Sequence, residues 1–220
     1  MTRTIALVAI LATTLASAPA AAPHYYYIDP ARLDLSILLP PPPDAASAAE
    51  RSDEEEVAAA VAGRSPQQFF EAEEASKRSV FFFAASIGPS FAAAKLPVTA
   101  RLFLHVRSDV GNLINAAKMY WDRPRPAGAQ KRRGSYPSGH AAFAASTAIL
   151  LSQLVPAKRD EIFSQARTFA ENRILLGLHY PSDVASGWTA GTLAAYVMMH
   201  DRAFERDFAA ARAELLRANI

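Results

Sequence analysis

Apolar side chains in this chain recur with the period of a helix, and this pattern restricts the fold more than any other feature of the sequence. Between Val98 and Trp121 they occupy positions 103, 106, 110, 113, 114, 117 and 121. That spacing lines one face of a helix, whereas the alternation typical of a half-buried strand is nearly absent from the chain. We therefore expect an all-α fold, a compact single-domain helical bundle whose 220 residues suffice for one sizeable core.

Caps, prolines and glycines mark where the helices begin and end. We expect helices over 53–62, 67–85, 98–121, 138–154, 158–176, 183–199 and 203–217. Ser52 and Glu55 have the spacing of a capping box, so the acidic run 53–56 is interpreted as a solvated first helical turn. The segment 183–199 has one charged residue and is apolar on all sides, so we expect it at the domain centre.

The start of the chain has the layout of a secretory signal peptide. Arg3 precedes an apolar run over 5–15, and Ala18-Pro19-Ala20 forms a cleavage site. A membrane anchor is the alternative, but the run is shorter than the roughly 20 residues that span a bilayer. We expect a signal peptide over 1–20, an extended proline-rich arm over 21–50 and a helical catalytic domain over 51–220. The mature protein would be periplasmic or secreted, with no integral membrane segment.

Composition excludes several classes of site and partner. The chain contains no Cys, which excludes disulfides, cysteine-ligated zinc and a thiol nucleophile. Lys and Arg together number 23 and Asp and Glu 21, so the net charge is only +2. This near-balance argues against a nucleic-acid polymer as partner.

Several ionisable residues lie on apolar helix faces, where they need a partner. Arg173 lies within about 30° of the middle of its helix's apolar stripe, and a buried guanidinium requires an anion or a route to solvent. His140 lies one turn above Phe143 on the apolar face of the preceding helix, and Lys118 lies on the flank of its own stripe. Each residue alone has an ordinary explanation, a hydrogen-bonded core histidine or a structural ion pair.

The neighbours of these residues favour a site for a compact anion. Ser138 and Gly139 open a helix after a loop, where free amides and the helix dipole attract negative charge, and Arg125 precedes that loop. Asp183 follows His179 by four residues, so it can accept from one ring nitrogen and leave the other as a nucleophile or base. A loop-to-helix staple is the alternative for this pair. Phosphate fits best, and because carboxylates and histidines are too few for an obvious metal cage, we expect the protein to supply the cations.

Three blocks of the sequence resemble the signature of the phosphatidic acid phosphatase type 2 and vanadium haloperoxidase superfamily. The blocks are Lys118-x6-Arg125-Pro126, Pro137-Ser138-Gly139-His140 and Arg173-x5-His179-x3-Asp183. The closer resemblance is to the class A bacterial non-specific acid phosphatases, on the exported start, the arm with Ile28-Asp29-Pro30 and four prolines at 40–43, and Gly134-Ser135-Tyr136. The chain departs from that pattern at Asn172, where Ser is usual, at Ala141, where Thr is common, and in the basic loop 127–136.

The resemblance implies a role for each matching residue. Lys118, Arg125, Ser138, Gly139 and Arg173 would hold the phosphate oxygens. The resemblance also implies small phosphomonoester substrates, no metal ion or other cofactor, vanadate as a transition-state-analogue inhibitor, and a homodimer.

The catalytic residues implied by the resemblance are two histidines and one aspartate. His179 would attack phosphorus and form a phosphohistidine, and Asp183 would orient it. His140 would protonate the leaving alkoxide and then activate water. The first step needs a protonated His140 and a neutral His179, which predicts a bell-shaped rate profile centred on the acid side.

Three other functions remain open on the sequence alone. A vanadate-dependent haloperoxidase would use the same pocket, although the small chain and the arm favour a phosphatase. A lipid phosphate phosphatase is a second alternative, but the chain lacks several 18-residue apolar spans. A phosphate-binding protein without turnover is the third, and the His179–Asp183 pair argues against it.

Overall fold

The computed structural model describes residues 24–129 and 134–220. The expected signal peptide and part of the basic loop therefore lie outside the described residues. All regular elements within them are helical, which confirms the all-α prediction. The helices are α1 (Leu35–Leu38), α2 (Ala48–Gly63), α3 (Pro66–Glu74), α4 (Ala84–Ile87), α5 (Pro97–Trp121), α6 (Gly139–Leu154), α7 (Arg159–Leu175), α8 (Pro181–Met198) and α9 (Arg202–Arg217), with single 3₁₀ turns at Pro30–Arg32, Val80–Phe83 and Pro156–Lys158.

The central helix is α6, with 13 of its 16 residues buried against α5, α7 and α8. The prediction that segment 183–199 is the buried centre was wrong. Helix α8 turns one face to solvent, with Ala185, Thr189, Thr192 and Tyr196 exposed. Its apolar character reflects small residues that face α6 rather than burial on all sides.

Two glycines on α8 let its backbone touch that of α6. A Cβ atom on Gly187 would lie 2.3 Å from the carbonyl oxygen of Ser138, and one on Gly191 would lie 2.2 Å from that of Ala142. Since real Cβ atoms are not found so close, only glycine permits this crossing. The close approach aligns the starts of the two helices, where the amide of Ser138 donates to the carbonyl of Asp183 over 2.9 Å.

Two expected boundaries in the first half of the chain are corrected. Helix α2 begins at Ala48, because Ser47, not Ser52, is the cap, and its hydroxyl accepts from the Glu50 amide. The predicted helix 67–85 is divided, since α3 ends at Glu74 and a 3₁₀ turn follows an irregular segment. The hydroxyls of Ser76 and Ser79 bond to the backbone at Ala72 and Phe81, which favours the break over a continuous helix.

The N-terminal arm is tied to α5 by one buried carboxylate. Asp109 on α5 accepts hydrogen bonds from the amides of Tyr26, Tyr27 and Ile28 at 2.9, 2.8 and 3.1 Å. The Tyr27 hydroxyl donates to Asp207 on α9 at 2.8 Å. The arm is thus bonded to two helices of the bundle, and its aliphatic side chains enter the core at Ile28, Leu33, Leu35 and Leu39.

No helix in the described part of the chain combines the length and apolar character needed to cross a bilayer.

Candidate active site

A cavity of about 680 Å³ lies between α5, the start of α6 and the end of α7. Six of the eight predicted site residues line it, and Ser138 and Asp183 lie fully buried behind them. The lining from the predicted set is Lys118, Arg125, Gly139, His140, Arg173 and His179, and Arg78, Asn115 and Asp122 are further polar residues of the wall. The three sequence blocks therefore meet at one cavity.

The turn after α7 brings His179 back beside Arg173. Gly177 has a φ of +68°, a left-handed conformation that ends the helix and that glycine adopts readily. The amides of Leu178 and His179 then both donate to the carbonyl of Arg173, at 2.9 and 3.2 Å. This turn fixes the distance between a cation and an imidazole that are six residues apart.

Asp183 holds the ring of His179 in one orientation. The Nδ1 of His179 lies 3.1 Å from Oδ2 of Asp183, which also accepts from the Tyr180 amide at 3.0 Å. Since a carboxylate only accepts, Nδ1 carries the proton and Nε2 presents its lone pair. That Nε2 lies 3.2 Å from Nη1 of Arg125, at the cavity surface.

Arg123 pairs with the other oxygen of Asp183, and no motif or apolar stripe in the sequence marks this residue. Its guanidinium is buried, lies 4.1 Å from the ring centre of Tyr180, and approaches Oδ1 of Asp183 to 2.7 Å. It also pairs with Asp53 at 2.7 Å and with Glu50. Burial raises the pKa of Asp183, and the charge of Arg123 acts in the opposite direction. A buried arginine with three carboxylates is a positioning network for the His179–Asp183 pair.

The interpretation of the run 53–56 as a solvated first helical turn was therefore wrong, because α2 begins at Ala48 and places the run beyond its first turn, with Asp53 buried. Asp53 is only 6% exposed and accepts from Arg123 and from the Ser182 amide, the latter at 3.1 Å. Its carboxylate connects α2 to the start of α8. Nothing in the local sequence separates Asp53 from its acidic neighbours, because the tertiary contact alone makes it different.

Arg173 is a buried cation that faces other cations. Its Nη1 donates to the hydroxyl of Ser76 at 2.8 Å, whereas its buried Nε has no hydrogen-bond partner among the described residues. Burial, reinforced by the charges of Arg125 and Arg78, lowers its pKa to about 10. Such a group is stabilised by an anion, because an unpaired buried charge is costly.

Lys118 and Arg125 reach the same cavity from the first block. The ammonium of Lys118 donates to the carbonyls of Gly134 and Ser135, the latter at 2.8 Å. The guanidinium of Arg125 donates to the carbonyls of Leu178 at 2.5 Å and Gly134 at 3.1 Å. Backbone oxygens of the loops around the cavity thus hold both cations, and both side chains line the cavity.

His140 is neutral in the absence of an anion. Burial lowers its pKa to about 2, with contributions from the charges of Arg173, Arg78 and His179. Its Nε2 lies 3.1 Å from the carbonyl oxygen of Ser76, which fixes the proton on that nitrogen. Ser76 thus contacts both His140 and Arg173, and it belongs to the irregular segment 75–79, which no motif in the sequence marks.

Comparison with known proteins gives a family and several relatives. Residues 101–207 match the family described as the PAP2 superfamily. An acid phosphatase from Zymomonas mobilis is 30% identical over 149 residues, which cover 62% of this chain and 56% of that protein. A non-specific acid phosphatase from Salmonella typhi is 33% identical over 93 residues, covering 42% of this chain and 37% of the relative. The chain thus spans about half or less of the length of these relatives.

Two solved structures share the fold. A transmembrane PAP2-type phosphatidylglycerolphosphate phosphatase from Bacillus subtilis superposes with a TM-score of 0.53 at 20% identity, covering 70% of this chain and 86% of that one. LpxE from Aquifex aeolicus gives a TM-score of 0.53 at 21% identity, with 67% of this chain and 94% of that one covered. At this level of identity the likeness concerns the helical architecture.

Proposed function

We propose, from the premise that residues 101–207 form a PAP2 superfamily domain, that this protein is an acid phosphatase, a phosphoric monoester hydrolase of broad specificity for small phosphomonoesters. The observation that supports this most strongly is the buried guanidinium of Arg173. It has a free Nε, other cations as neighbours, and a place beside an oriented imidazole. A tetrahedral oxyanion would neutralise this charge and lie within reach of the nucleophile.

The first chemical step transfers the phosphoryl group to the protein. The lone pair on Nε2 of His179 attacks phosphorus, the bond from phosphorus to the ester oxygen breaks, and His140 gives a proton to the departing oxygen. Asp183 accepts from Nδ1 throughout and offsets the positive charge that develops on the ring. Lys118, Arg125, Arg173 and the amides at the start of α6 hold the equatorial oxygens.

The second step reverses these roles. A water molecule gives its proton to His140 and attacks phosphorus, the bond between phosphorus and Nε2 breaks, and inorganic phosphate leaves. If an alcohol replaces water, the same step gives a new ester, so we also propose transphosphorylation.

The proton that His140 donates must enter with the substrate. His140 is neutral in the anion-free protein, whereas a phosphomonoester monoanion still carries one proton below its second pKa, about 6. A monoanion beside a neutral imidazole has the same proton count as a dianion beside an imidazolium. Binding the monoanion therefore supplies the acid, which predicts activity on the acid side.

The proposed reaction needs no metal ion, because the protein itself supplies the positive charge. The cationic side chains of the wall are Arg78, Lys118, Arg125 and Arg173, and Asp122 is its one carboxylate among the described residues. Vanadate, which adopts the geometry of the transferring phosphoryl group, should inhibit competitively.

The decisive experiment measures hydrolysis of p-nitrophenyl phosphate with a chelator present. His179→Ala should reduce kcat by more than about 1,000-fold, because the nucleophile is lost, whereas His200→Ala, at an exposed histidine outside the cavity, should match the wild type. Quenched wild-type enzyme should carry an acid-labile phosphate on His179 by mass spectrometry. Equal activity of wild type and His179→Ala, or loss of activity with chelator, would overturn the mechanism.

Export and self-association belong to the same proposal. We propose that the mature protein is periplasmic or secreted and forms a homodimer. Exposed apolar side chains on the arm and the adjoining end of α5 support an interface there, namely Ile37, Leu38 and Tyr120. Cell fractionation with N-terminal sequencing tests the first statement, and sedimentation equilibrium of wild type and Ile37→Asp tests the second.

A further inference from the structure

Arg78 is a fourth cation of the cavity, and it lies outside the three sequence blocks. It follows α3 in the irregular segment 75–79 and lines the cavity together with His140 and Arg173. A Cβ atom built on Gly139 would lie 3.7 Å from Nη1 of Arg78. The guanidinium therefore stands beside the first residue of α6, next to His140.

The backbone around Arg78 is held in place. Its carbonyl accepts from Nη1 of Arg107 at 3.1 Å, and two residues earlier Ser76 bonds to both His140 and Arg173. The guanidinium itself has no described carboxylate within ion-pair distance. Arg78 is exposed to solvent on one side, and its partial desolvation together with the charge of Arg107 lowers its pKa. The structure thus places a solvent-accessible cation at the cavity, with no described carboxylate paired to it.

Arg78 lies on the side of the cavity from which the leaving group would depart. In the proposed mechanism the leaving oxygen departs toward His140, on the side opposite His179. Because Arg78 lies beside His140 and Gly139, its charge falls on the leaving-group side. The proposed mechanism places the other three cations on the scissile phosphoryl group, and about 680 Å³ of cavity leaves space beyond a single phosphate.

We infer that Arg78 binds a second phosphoryl group attached next to the scissile one, so that diphosphates and vicinal bisphosphates are preferred over monoesters with a neutral leaving group. This inference rests on the proposed function for the direction in which the leaving group departs. A guanidinium there neutralises the charge of the departing phosphate and binds its oxygens in two-pronged fashion.

The test compares two non-hydrolysable ligands, methylenediphosphonate and methylphosphonate, by titration calorimetry. The wild type should bind the diphosphonate more tightly, and Arg78→Gln should reduce the ratio of the two affinities by about tenfold or more. Arg78→Lys should give an intermediate ratio, since it keeps the charge and loses the planar fork. The matched control is Lys77→Gln, which removes an exposed charge from the adjacent residue outside the cavity.

An unchanged affinity ratio in Arg78→Gln would overturn the inference, as would an equal drop in Lys77→Gln, because the effect would then be one of general charge. Calorimetry does not depend on turnover. A protein that fails to hydrolyse p-nitrophenyl phosphate yet shows the predicted change in ratio would refute the proposed function and leave the anion site at Arg78 intact.

Discussion

At the scale of single residues, Arg123 decides how Asp183 is charged and aimed. Its guanidinium lies 2.7 Å from Oδ1 of Asp183 while Oδ2 accepts from His179. Because burial raises the pKa of Asp183 and Arg123 acts against that rise, weakening the pair shifts the pKa of the carboxyl further upward. As the pH falls, Asp183 then takes up its proton at a higher pH than in the wild type, and the protonated carboxyl is a poorer acceptor for Nδ1 of His179.

We predict that Arg123→Lys lowers kcat by roughly 10–100-fold, the usual effect of losing a group that orients a catalytic side chain, and moves the acid limb of the kcat profile to higher pH. The control is Asp53→Asn, which weakens the same network on the side away from Asp183. It should lower the melting temperature with a smaller shift of the acid limb. An acid limb that stays in place in Arg123→Lys would contradict the assigned role.

A second prediction concerns the basic limb of kcat/KM. Since His140 is neutral in the free protein, this limb should follow the second pKa of the substrate rather than that of a side chain. Replacing phenyl phosphate by an aryl phosphate of lower second pKa should move the basic limb to lower pH by the difference between the two pKa values. A basic limb at one fixed pH for all substrates would contradict this prediction and indicate a titrating group on the protein. Values of kcat/KM that keep rising into alkaline pH would show that there is no basic limb and would contradict the bell-shaped profile.

At the scale of elements, the crossing of α6 and α8 depends on the missing side chain at Gly191. A methyl group there would lie 2.2 Å from the carbonyl oxygen of Ala142, so the two helices must separate. We predict that Gly191→Ala lowers the free energy of unfolding by about 3 kcal/mol. Gly63→Ala, at the exposed end of α2 with open space around it, should change it by less than about 1 kcal/mol. Chemical denaturation of both variants measures the difference, and equal stabilities would show that α8 yields without cost.

The arm depends in the same way on Asp109. Asn keeps one of the two carboxylate oxygens and loses the charge, so three amide donors compete for one acceptor. We predict that Asp109→Asn lowers the free energy of unfolding by about 3 kcal/mol, the scale of losing charge-assisted hydrogen bonds. Limited proteolysis should then cleave near residues 24–46 well before the bundle. Protection equal to that of the wild type would contradict this attachment.

At the scale of the whole molecule, the sequence predicts most of the helices and the convergence of the three blocks. The expected helices over 98–121, 138–154, 158–176 and 203–217 agree with α5, α6, α7 and α9 to within one residue at each end. They were predictable because periodicity, caps and prolines are local signals. The predicted anion-site residues are also helix starts, helix ends or misplaced charges, which the sequence displays directly.

The residues that the sequence concealed share a different property. Asp53, Ser76, Arg78 and Arg123 lie at the cavity or behind it because of contacts between distant segments. Each stands in an ordinary context, an acidic helix turn, a serine loop, or a charge beside a proline. The burial of α8 was overpredicted for a related reason. Small residues count as apolar in the sequence both where they face a neighbouring backbone and where they face solvent.

The contact between Ser182 and Asp53 joins residues 129 positions apart in the chain. Asp53 precedes every one of the three motif blocks, and yet it shares the arginine that sets the charge of Asp183. A motif search therefore scores a chain without α2 as complete, although such a chain would lose two of the three carboxylates that hold Arg123 behind His179. Intact motif blocks therefore do not show that the catalytic site is complete. Whether Arg123 is held in place depends on α2, which precedes all three blocks.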